Sequence, residues 1–308
     1  MEKKVSIVIP NYNGSEILLK NLPEVEKNCA GCEIIIVDDA STDDSVDLIK
    51  KNFPKVKLIV NPSNQGFAKT VNRGVNEARG QLVLLLNSDV APKSGFLKTA
   101  VDNFKNQTDN LFGVGLADLS HEGSKVVMRG RGGAKFHKGF LTHFAKEPKS
   151  GETLWISGGS SLIDKEKFEE LNGFDQIYAP FYWEDIDLSY RARKLGYFCL
   201  FEENSKVDHF HEEGAIKKTK SPFFIKTVAY KNQFIFVWKN ISDYFLIIEH
   251  FLWLPYHFIK AIISFDLPFF LGFMWAVTKI PQLIFNYPQA AKNFKLTDRE
   301  VIEKFEGQ

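Results

Sequence analysis

The first ninety residues contain four short apolar runs that alternate with helical stretches. The apolar runs cover residues 5–9, 33–37, 56–60 and 81–86, and the helical stretches cover residues 15–28, 43–52 and 66–79. An apolar run without polar alternation is typical of a strand that is covered on both faces, as in a parallel sheet. Repeated strand–helix units require right-handed crossovers. The pattern therefore predicts an α/β fold with a Rossmann-like, mostly parallel sheet and helices on both faces.

Polar residues follow each of these apolar runs. In such sheets, ligands bind at the carboxyl ends of the strands. The residues that follow the runs are Pro10, Asn11 and Tyr12, then Asp38 and Asp39, then residues 61–64, then Asn87, Ser88 and Asp89. Carboxylates at this edge accept hydrogen bonds from a base or ribose, or hold a cation. Asp38 and Asp39 also suit a capping turn for the helix that begins near Asp43.

Asp89 is the sharper candidate for a metal ligand. Mg²⁺ and Mn²⁺ prefer oxygen ligands and often share them with substrate phosphates. The alternative is a local turn before Pro92. His209 and His211 follow a predicted strand near residues 197–207. A histidine there either makes a structural hydrogen bond or completes a metal site with Asp89.

A second acidic cluster lies at residues 183–191. Residues 187–196 read as a helix that ends at a glycine, and Asp187 and Arg191 are spaced to pair on its surface. Glu184 and Asp185 then lie at or just before the helix N-terminus, where the helix dipole favours carboxylates. They are either caps only, or one of them is the general base for an acceptor hydroxyl.

Composition excludes several classes of protein. Lys and Arg number 39 and Asp and Glu number 38, so the net charge of +1 provides no field for binding nucleic acid by bulk charge. Three cysteines form no disulfide scaffold, which fits a reducing compartment. No P-loop and no GxSxG motif is present.

The chain changes character after residue 214. Residues 223–294 hold thirteen of the 28 Phe and three of the 5 Trp, and residues 215–240 carry six Lys without any Asp or Glu. Between residues 244 and 285, the longest stretch without a charged residue is 267–278, shorter than the roughly 20 residues that span a bilayer. Pro255, Pro268 and Pro281 are expected to break helices. We expect amphipathic helices in the membrane interface. The alternatives are a helical subdomain packed on the catalytic domain, a dimer interface, and a pair of re-entrant or spanning helices.

Several motifs occur in a fixed order along residues 5–214. They are VSIVIPNYNG, EIIIVDDASTDDS, NQGFAKTVNRGVNEARG, LVLLLNSD, SGGSSLIDKEKFEELNGFD, FYWEDIDLSYRARKLGY and VDHFH. Together they resemble family 2 glycosyltransferases of the GT-A fold, close to the bacterial rhamnosyltransferase-like branch. The resemblance implies a nucleotide-diphosphate sugar as donor, a divalent metal (Mg²⁺ or Mn²⁺), and inversion at the anomeric carbon.

The resemblance also implies roles for individual residues. On the donor side it assigns the nucleotide pocket to Pro10, Asn11, Tyr12, Asp38, Asp39, Gly66, Asn72, Asn87 and Asp89. Asn87 stands where the family carries the first Asp of its DxD-like motif, so Asp89 takes most of the expected metal contact together with His209. His211 is a rival ligand. On the acceptor side, Asp185 matches the catalytic base, and Trp183 and Glu184 shape the site.

The resulting hypothesis is an inverting glycosyltransferase that transfers a sugar to a lipid-linked or cell-surface glycan. Residues 1–214 form the GT-A domain, with a nucleotide-binding half at 1–90 and an acceptor-side half at 91–214, in which residues 115–154 line the acceptor side. Residues 215–308 form a membrane-associated helical region. The enzyme is expected at the cytoplasmic face of a bacterial membrane, bound peripherally to the membrane surface, without nucleic acid partners, and the pattern is compatible with an oligomer.

Two other functions compete with this hypothesis. A sugar nucleotidyltransferase would carry a Gly-rich triphosphate loop near the N-terminus, and none follows Ile9. A catalytically degenerate scaffold that binds glycan or membrane would have lost Asp89, Asp185 or His209, and all three are present.

Overall fold

The computed structural model of the protein describes residues 4–107, 109–123, 125–210, 220–286 and 293–306. The first half is a parallel sheet in the order β4-β1-β2-β3 with three crossing helices. Its elements are β1 (Val5–Asn11), α1 (Ser15–Asn28), β2 (Glu33–Asp38), α2 (Ser45–Asn52), β3 (Lys57–Val60), α3 (Phe67–Asn76) and β4 (Leu82–Leu86). All four predicted strands and all three predicted helices are confirmed, with ends shifted by at most three residues.

The second half extends the same sheet but mixes strand directions. Its elements are β5 (Val90–Pro92), α4 (Phe96–Asn106), β6 (Leu111–Glu122), β7 (Lys125–Arg129), β8 (Gly132–His137), β9 (Phe140–Ala145), β10 (Gly151–Thr153), β11 (Ser160–Asp164), α5 (Lys165–Glu170), α6 (Glu184–Lys194) and β12 (Phe198–His209). β11 runs antiparallel between β4 and β6, whereas β12 runs parallel to β6. The parallel prediction therefore holds for the first half, and the complete sheet is mixed.

Helices cover both faces of this sheet. One face packs against α1 and α4 through residues such as Leu22 and Ala100. The other face packs against α3 and α5 through residues such as Val71 and Phe168. The α/β interior is thus two apolar layers on either side of one sheet.

The C-terminal helices share a third core with the acceptor-side half. They are α7 (Pro222–Asn240), α8 (Tyr244–Ile263), α9 (Leu267–Val277), α10 (Ile280–Asn286) and α11 (Asp298–Glu306). This core joins Phe140 of β9 and Trp183 to Phe234 and Phe236 of α7 and Phe305 of α11. The predicted domain boundary at 214 lies among residues 211–219, outside the described residues, and the division into two domains stays a prediction.

The expectation that three prolines break helices is wrong. α8 continues through Pro255, and Pro268 lies in the first turn of α9. Pro281 is the second residue of α10. A proline in the first helical turn removes an amide that has no intrahelical partner, so it starts a helix as readily as it ends one. α8 has its proline in mid-helix and still runs unbroken for 20 residues, long and apolar enough by composition to cross a membrane.

Candidate active site

The ends of β1 and β2 are tied together by Asp38. Asn11 lies opposite Asp38 in the parallel register, and its Nδ2 donates to Asp38 Oδ2 at 2.8 Å. The Ser41 hydroxyl donates to the same oxygen at 2.6 Å, and the Ser41 amide donates to Oδ1 at 2.9 Å. Pro10 and Tyr12, which flank Asn11, are both half-buried. The completely buried Asp38 thus organises the turn after β2, and its predicted contact with the nucleotide stays a prediction.

Asp39 holds the start of α3. Its Oδ1 accepts from Asn61 Nδ2 at 2.7 Å and from the Gln65 amide at 2.8 Å, and its Oδ2 accepts from the Gly66 amide at 2.9 Å. Gly66 has a φ of +82°, which favours glycine at this turn. The buried Asp39 carboxylate therefore fixes the loop between β3 and α3.

Asn72 on α3 clamps the segment that precedes α6. Its Nδ2 donates to the Phe174 carbonyl at 2.8 Å, and its Oδ1 accepts from the Phe174 amide at 2.9 Å. Both ends of the side-chain amide are thus engaged by backbone. The structure gives Asn72 a role in holding the acceptor-side half against α3, and its predicted contact with the nucleotide stays a prediction.

Asp89 and His209 come together at the end of β4, as predicted. His209 Nε2 lies 3.4 Å from Asp89 Oδ1, and both residues are 7% exposed. Asn87 is half-buried two residues before Asp89, and its side chain lies against Gly159. His211 lies outside the described residues, so its rivalry with His209 as a metal ligand stays a prediction.

Asp118 on β6 completes this cluster, and sequence reasoning missed it. Its Oδ2 is hydrogen-bonded to His209 Nδ1, and its Oδ1 accepts from the Ser120 hydroxyl at 2.8 Å. Burial lowers the pKa of His209, but hydrogen bonds and attraction to Asp118 and Asp89 outweigh burial and raise its pKa to about 9. The sequence signal that could have identified Asp118 is a carboxylate within a largely apolar strand, because a buried carboxylate requires a charged or hydrogen-bonding partner.

The donor set of this cluster fits a divalent cation. A carboxylate that orients one imidazole nitrogen leaves the other nitrogen aimed at a metal, the common arrangement around metal-ligating histidines. Asp89 Oδ1 and His209 Nε2 are close enough to share one ion. Among the described residues there is no group of three or more His, Cys, Asp or Glu arranged around a single point. Phosphate oxygens and water commonly complete the coordination of Mg²⁺ in proteins.

The second half of the site lies at the start of α6, which begins at Glu184 rather than at the predicted residue 187. Tyr182 and Trp183 precede it with φ of 70° and 77°, a left-handed conformation that costs on the order of 1–3 kcal/mol for each such residue. Asp185 Oδ1 accepts from the Ile186 amide at 2.8 Å, and its Oδ2 accepts from the Gly158 amide at 3.4 Å. The strained turn therefore directs Asp185 toward the loop before β11.

Both carboxylates at this helix start have raised pKa values. Burial is the largest cause of the raised pKa of Asp185, and backbone hydrogen bonds oppose it. Burial and repulsion from Asp185 raise the pKa of Glu184 well above its usual range. Trp183 and Glu184 are each 7% exposed, whereas Asp185 is half-buried. Asp185 is therefore the carboxylate that is accessible to a substrate.

His143 on β9 lies beside Asp185 and was also missed. Its ring packs edge-to-face against Trp183 at 5.5 Å and against Trp155 at 5.4 Å. Burial lowers the pKa of His143, and the Asp185 charge acts in the opposite direction. The β8–β9 hairpin, part of the 115–154 segment that was predicted to line the acceptor side, thus brings an imidazole next to Asp185.

The predicted pair of Asp187 and Arg191 forms, but it is buried and does not lie on the surface. Arg191 Nε donates to Asp187 Oδ2 at 2.7 Å, and Asp187 is completely buried. Lys239 and Asn240 of α7 both donate to Asp187 Oδ1 at 2.8 Å. The helical spacing predicted the pair correctly, but α7 covers this face of α6.

Comparisons with known proteins agree with this geometry. The family model described as Glycosyl transferase family 2 matches residues 6–171. A GalNAc(5)-diNAcBac-PP-undecaprenol beta-1,3-glucosyltransferase of Campylobacter jejuni is 28% identical over 208 residues, which cover 66% of this chain and 66% of that protein, just under two thirds of its length. An N-acetylglucosaminyl-diphospho-decaprenol L-rhamnosyltransferase of Mycobacterium tuberculosis is 24% identical over 203 residues, 57% of this chain and 66% of that protein.

A solved structure shares the fold. The crystal structure of GalNAc-T7 with UDP, GalNAc and Mn²⁺ aligns with a TM-score of 0.63 at 18% identity. The alignment covers 79% of this chain and 49% of that one. The mixed sheet and its flanking helices are therefore the GT-A architecture.

Proposed function

The chain belongs to glycosyl transferase family 2, and from this membership we propose that it is an inverting enzyme that transfers a sugar from a nucleotide-diphosphate donor to a hydroxyl of a lipid-linked glycan. The pairing of Asp89 with His209, oriented by Asp118, carries the proposal. Two similar proteins have names that specify sugars linked to undecaprenol or decaprenol through a diphosphate. An acceptor of that class, a sugar on a polyprenyl diphosphate, is the one we propose here.

Asp89 and His209 would hold a divalent cation on the donor side. When bound, that cation neutralises negative charge on the diphosphate leaving group. GalNAc-T7 was crystallised with UDP and Mn²⁺, which supports Mn²⁺ or Mg²⁺ here. Pro10, Asn11 and Tyr12 would line the nucleotide pocket with Asn87. Asp38 or Asp39 would accept a hydrogen bond from base or ribose, beside Gly66 and Asn72.

Asp185 would act as the general base in a single displacement. The acceptor oxygen forms a bond to the anomeric carbon, the bond from that carbon to the diphosphate oxygen breaks, and the acceptor proton passes to the Asp185 carboxylate. Attack opposite the leaving group inverts the anomeric centre without a covalent enzyme intermediate. The raised pKa of Asp185 suits this role, because a base works best when its pKa approaches the working pH. Trp183 and Glu184 would shape the wall of the acceptor site.

The C-terminal helices supply a surface for the membrane in this proposal. Large apolar side chains of α8–α10 are exposed, and the most exposed are Tyr244, Phe245, Leu252, Ile263, Phe265, Ile284 and Phe285. An exposed apolar surface of this extent is typical of a membrane or protein interface. Lys138 packs against the rings of Trp253 and Tyr256 next to it, as aromatic and basic residues do at lipid headgroups. We propose peripheral binding at the cytoplasmic face, where a polyprenyl diphosphate acceptor is accessible.

The first experiment measures donor and acceptor together. The full chain is incubated with UDP-, dTDP- or GDP-sugars, Mn²⁺ or EDTA, and N-acetylglucosaminyl diphosphate on a short polyprenol, and nucleotide release is followed. We expect metal-dependent release with one donor class, reduced about 100-fold or more in Asp185→Asn. Asp102→Asn, an exposed carboxylate on α4, is the matched control. Absence of binding to every nucleotide sugar, measured by thermal shift, would overturn the proposal.

The second experiment tests the membrane surface. Flotation with vesicles of phosphatidylethanolamine and phosphatidylglycerol compares wild type with the triple variant Leu252→Ser, Ile263→Ser and Phe265→Ser. Because each buried side chain of this size contributes about 1.5–3 kcal/mol, the triple variant should lose at least 100-fold in partitioning. Leu19→Ser on α1, 51% exposed, is the control and should float like wild type. Equal flotation of the triple variant and wild type would exclude this surface.

A further inference from the structure

The segment before α6 is held in place by a side chain that no motif identified. Asn232 of α7 is completely buried. Its Nδ2 donates to three backbone carbonyls, those of Tyr178 at 2.8 Å, Phe181 at 2.9 Å and Tyr182 at 2.8 Å. An amide nitrogen has two hydrogens, so at least one of them is shared between two carbonyls. One side chain thus gathers the carbonyls of three residues within a five-residue segment.

The position of these carbonyls relative to the strained turn makes the contact significant. Tyr182 and Trp183 both have left-handed backbone conformations, which persist only when the surroundings impose them. The Phe181 and Tyr182 carbonyls belong to the peptide groups on either side of Tyr182. Asn232 therefore restrains both peptide planes of the first strained residue, three positions before Asp185.

Neighbouring residues of α7 act on the same segment. Lys231 donates from Nζ to the Ala179 carbonyl, between two of the Asn232 contacts. No donor reaches Asn232 Oδ1 in the described part of the chain. The Asn232 side chain therefore acts toward this segment as a donor, and a carboxylate in its place would face three carbonyl oxygens.

We propose that Asn232 is a positioning residue, which keeps residues 178–183 in the conformation that aims Asp185 at the acceptor hydroxyl. The inference rests on the proposed function for the role of Asp185, but the restraint on the segment is a property of the fold. Displacement of a reacting group by about 1 Å can lower a rate about 100-fold. Loss of the three hydrogen bonds should therefore reduce turnover much more than donor binding.

The test compares Asn232→Leu and Asn232→Ser with the matched control Gln233→Leu. Gln233 is the next residue of α7, and its amide makes one long contact of 3.4 Å to the Leu141 carbonyl. Hydrogen exchange is measured by mass spectrometry on peptides that cover residues 181–190 of the full chain. We expect at least tenfold faster exchange in Asn232→Leu, a smaller increase in Asn232→Ser, which keeps one donor, and none in Gln233→Leu. Exchange in Asn232→Ser equal to wild type would overturn the proposal even if Asn232→Leu does not fold.

The second arm of the test is kinetic and uses the donor class and the N-acetylglucosaminyl diphosphate acceptor described above. We expect kcat per folded molecule to fall about 100-fold in Asn232→Leu, with KM for the donor within about twofold of wild type. A purely structural role would reduce the folded fraction and leave the rate per folded molecule unchanged, which would also refute positioning. If no donor supports transfer but exchange still rises, the proposed function fails while the restraint by Asn232 stands. If transfer proceeds and the Asn232 variants match wild type, only the positioning proposal fails.

Discussion

Replacement of Asp187 by Asn should strongly destabilise the protein. Asp187 is completely buried and accepts four hydrogen bonds, from Arg191 Nε at 2.7 Å, Lys239 Nζ and Asn240 Nδ2 at 2.8 Å, and the Tyr178 hydroxyl at 2.9 Å. These partners belong to α6, α7 and the segment between α5 and α6. The carboxylate therefore joins the helix that carries the proposed base to the C-terminal helices.

The magnitude follows from what Asp187→Asn leaves behind. The new amide nitrogen takes the place of one carboxylate oxygen and faces donors, while Arg191 and Lys239 lose a buried counterion. Breaking a buried ion pair by removal of one partner costs about 3–5 kcal/mol. At roughly 2–4 °C for each kcal/mol, the melting temperature should fall by about 6–20 °C.

The pH dependence gives an independent check. Burial raises the pKa of Asp187, but attraction to Arg191 and Lys239 and hydrogen bonds outweigh it, so the pKa lies well below its usual range. A depressed carboxylate pKa stabilises the folded state above the unfolded value of about 3.9, and that stabilisation is lost as the pH falls toward the folded pKa. The difference between wild type and Asp187→Asn should be constant from about pH 8 to 5 and narrow below about pH 4.

Thermal and urea unfolding of the full chain measure both effects. Asp175→Asn is the matched control, because Asp175 contacts the same Lys239 at 2.7 Å while its side chain is 34% exposed. Because solvent screens the half-exposed Asp175 carboxylate and Lys239 keeps Asp187 as a partner, Asp175→Asn should cost only about 1 kcal/mol. Equal losses in Asp187→Asn and Asp175→Asn would refute the conclusion that burial makes Asp187 the anchor of this network.

Three further outcomes follow from single contacts. Asp118→Asn should weaken Mn²⁺ binding about 10–100-fold, measured by thermal-shift titration, because a carboxylate orients the proposed histidine ligand. An equal loss in the control Asp208→Asn would contradict this. Gly139→Ala should lower the free energy of unfolding in urea more than Gly31→Ala. Both glycines have φ near +80°, which costs alanine about 1–2 kcal/mol, but a Cβ at Gly139 would also lie 2.7 Å from backbone and add about 1–3 kcal/mol. Equal losses in the two variants would exclude the clash. Glu184→Gln should gain stability relative to wild type as the pH rises from about 5 to 8. The raised pKa of Glu184 makes wild type lose folding stability as the pH rises above the pKa of the unfolded chain, whereas glutamine does not titrate. A stability difference that does not change with pH would contradict the buried environment of Glu184.

The secondary structure of the first ninety residues could be predicted almost entirely from the sequence. Continuous apolar runs and helical stretches placed β1 to β4 and α1 to α3, because both patterns depend on neighbours within a few residues. The rule that ligands bind at the carboxyl ends of strands then brought Asn11 and Asp38 to the same edge, where the parallel register pairs them. Asp89 and His209 required the family motifs as well, since 120 positions separate them along the chain.

Other parts of the site depended on contacts that no local pattern encodes. Asp118 meets His209 across 91 positions, and Asn232 meets Tyr182 across 50. The burial of Asp187 has the same origin. Its spacing from Arg191 predicted the pair, but only the packing of α7 on α6 determined that the pair is buried.

The sequence by itself thus determined which segments of the first ninety residues become strands and helices, and it identified Asp89, Asp185 and His209 as carriers of the proposed chemistry. Periodicity and residue type are properties of a few neighbouring positions, so they can be read along the chain. Only the tertiary structure decided which partners surround those side chains, with Asp118 at the proposed cation site and His143 and Asn232 around Asp185 or the segment before it. The physical reason is that pKa, orientation and burial depend on the groups within a few ångströms, and the fold draws those groups from distant parts of the chain.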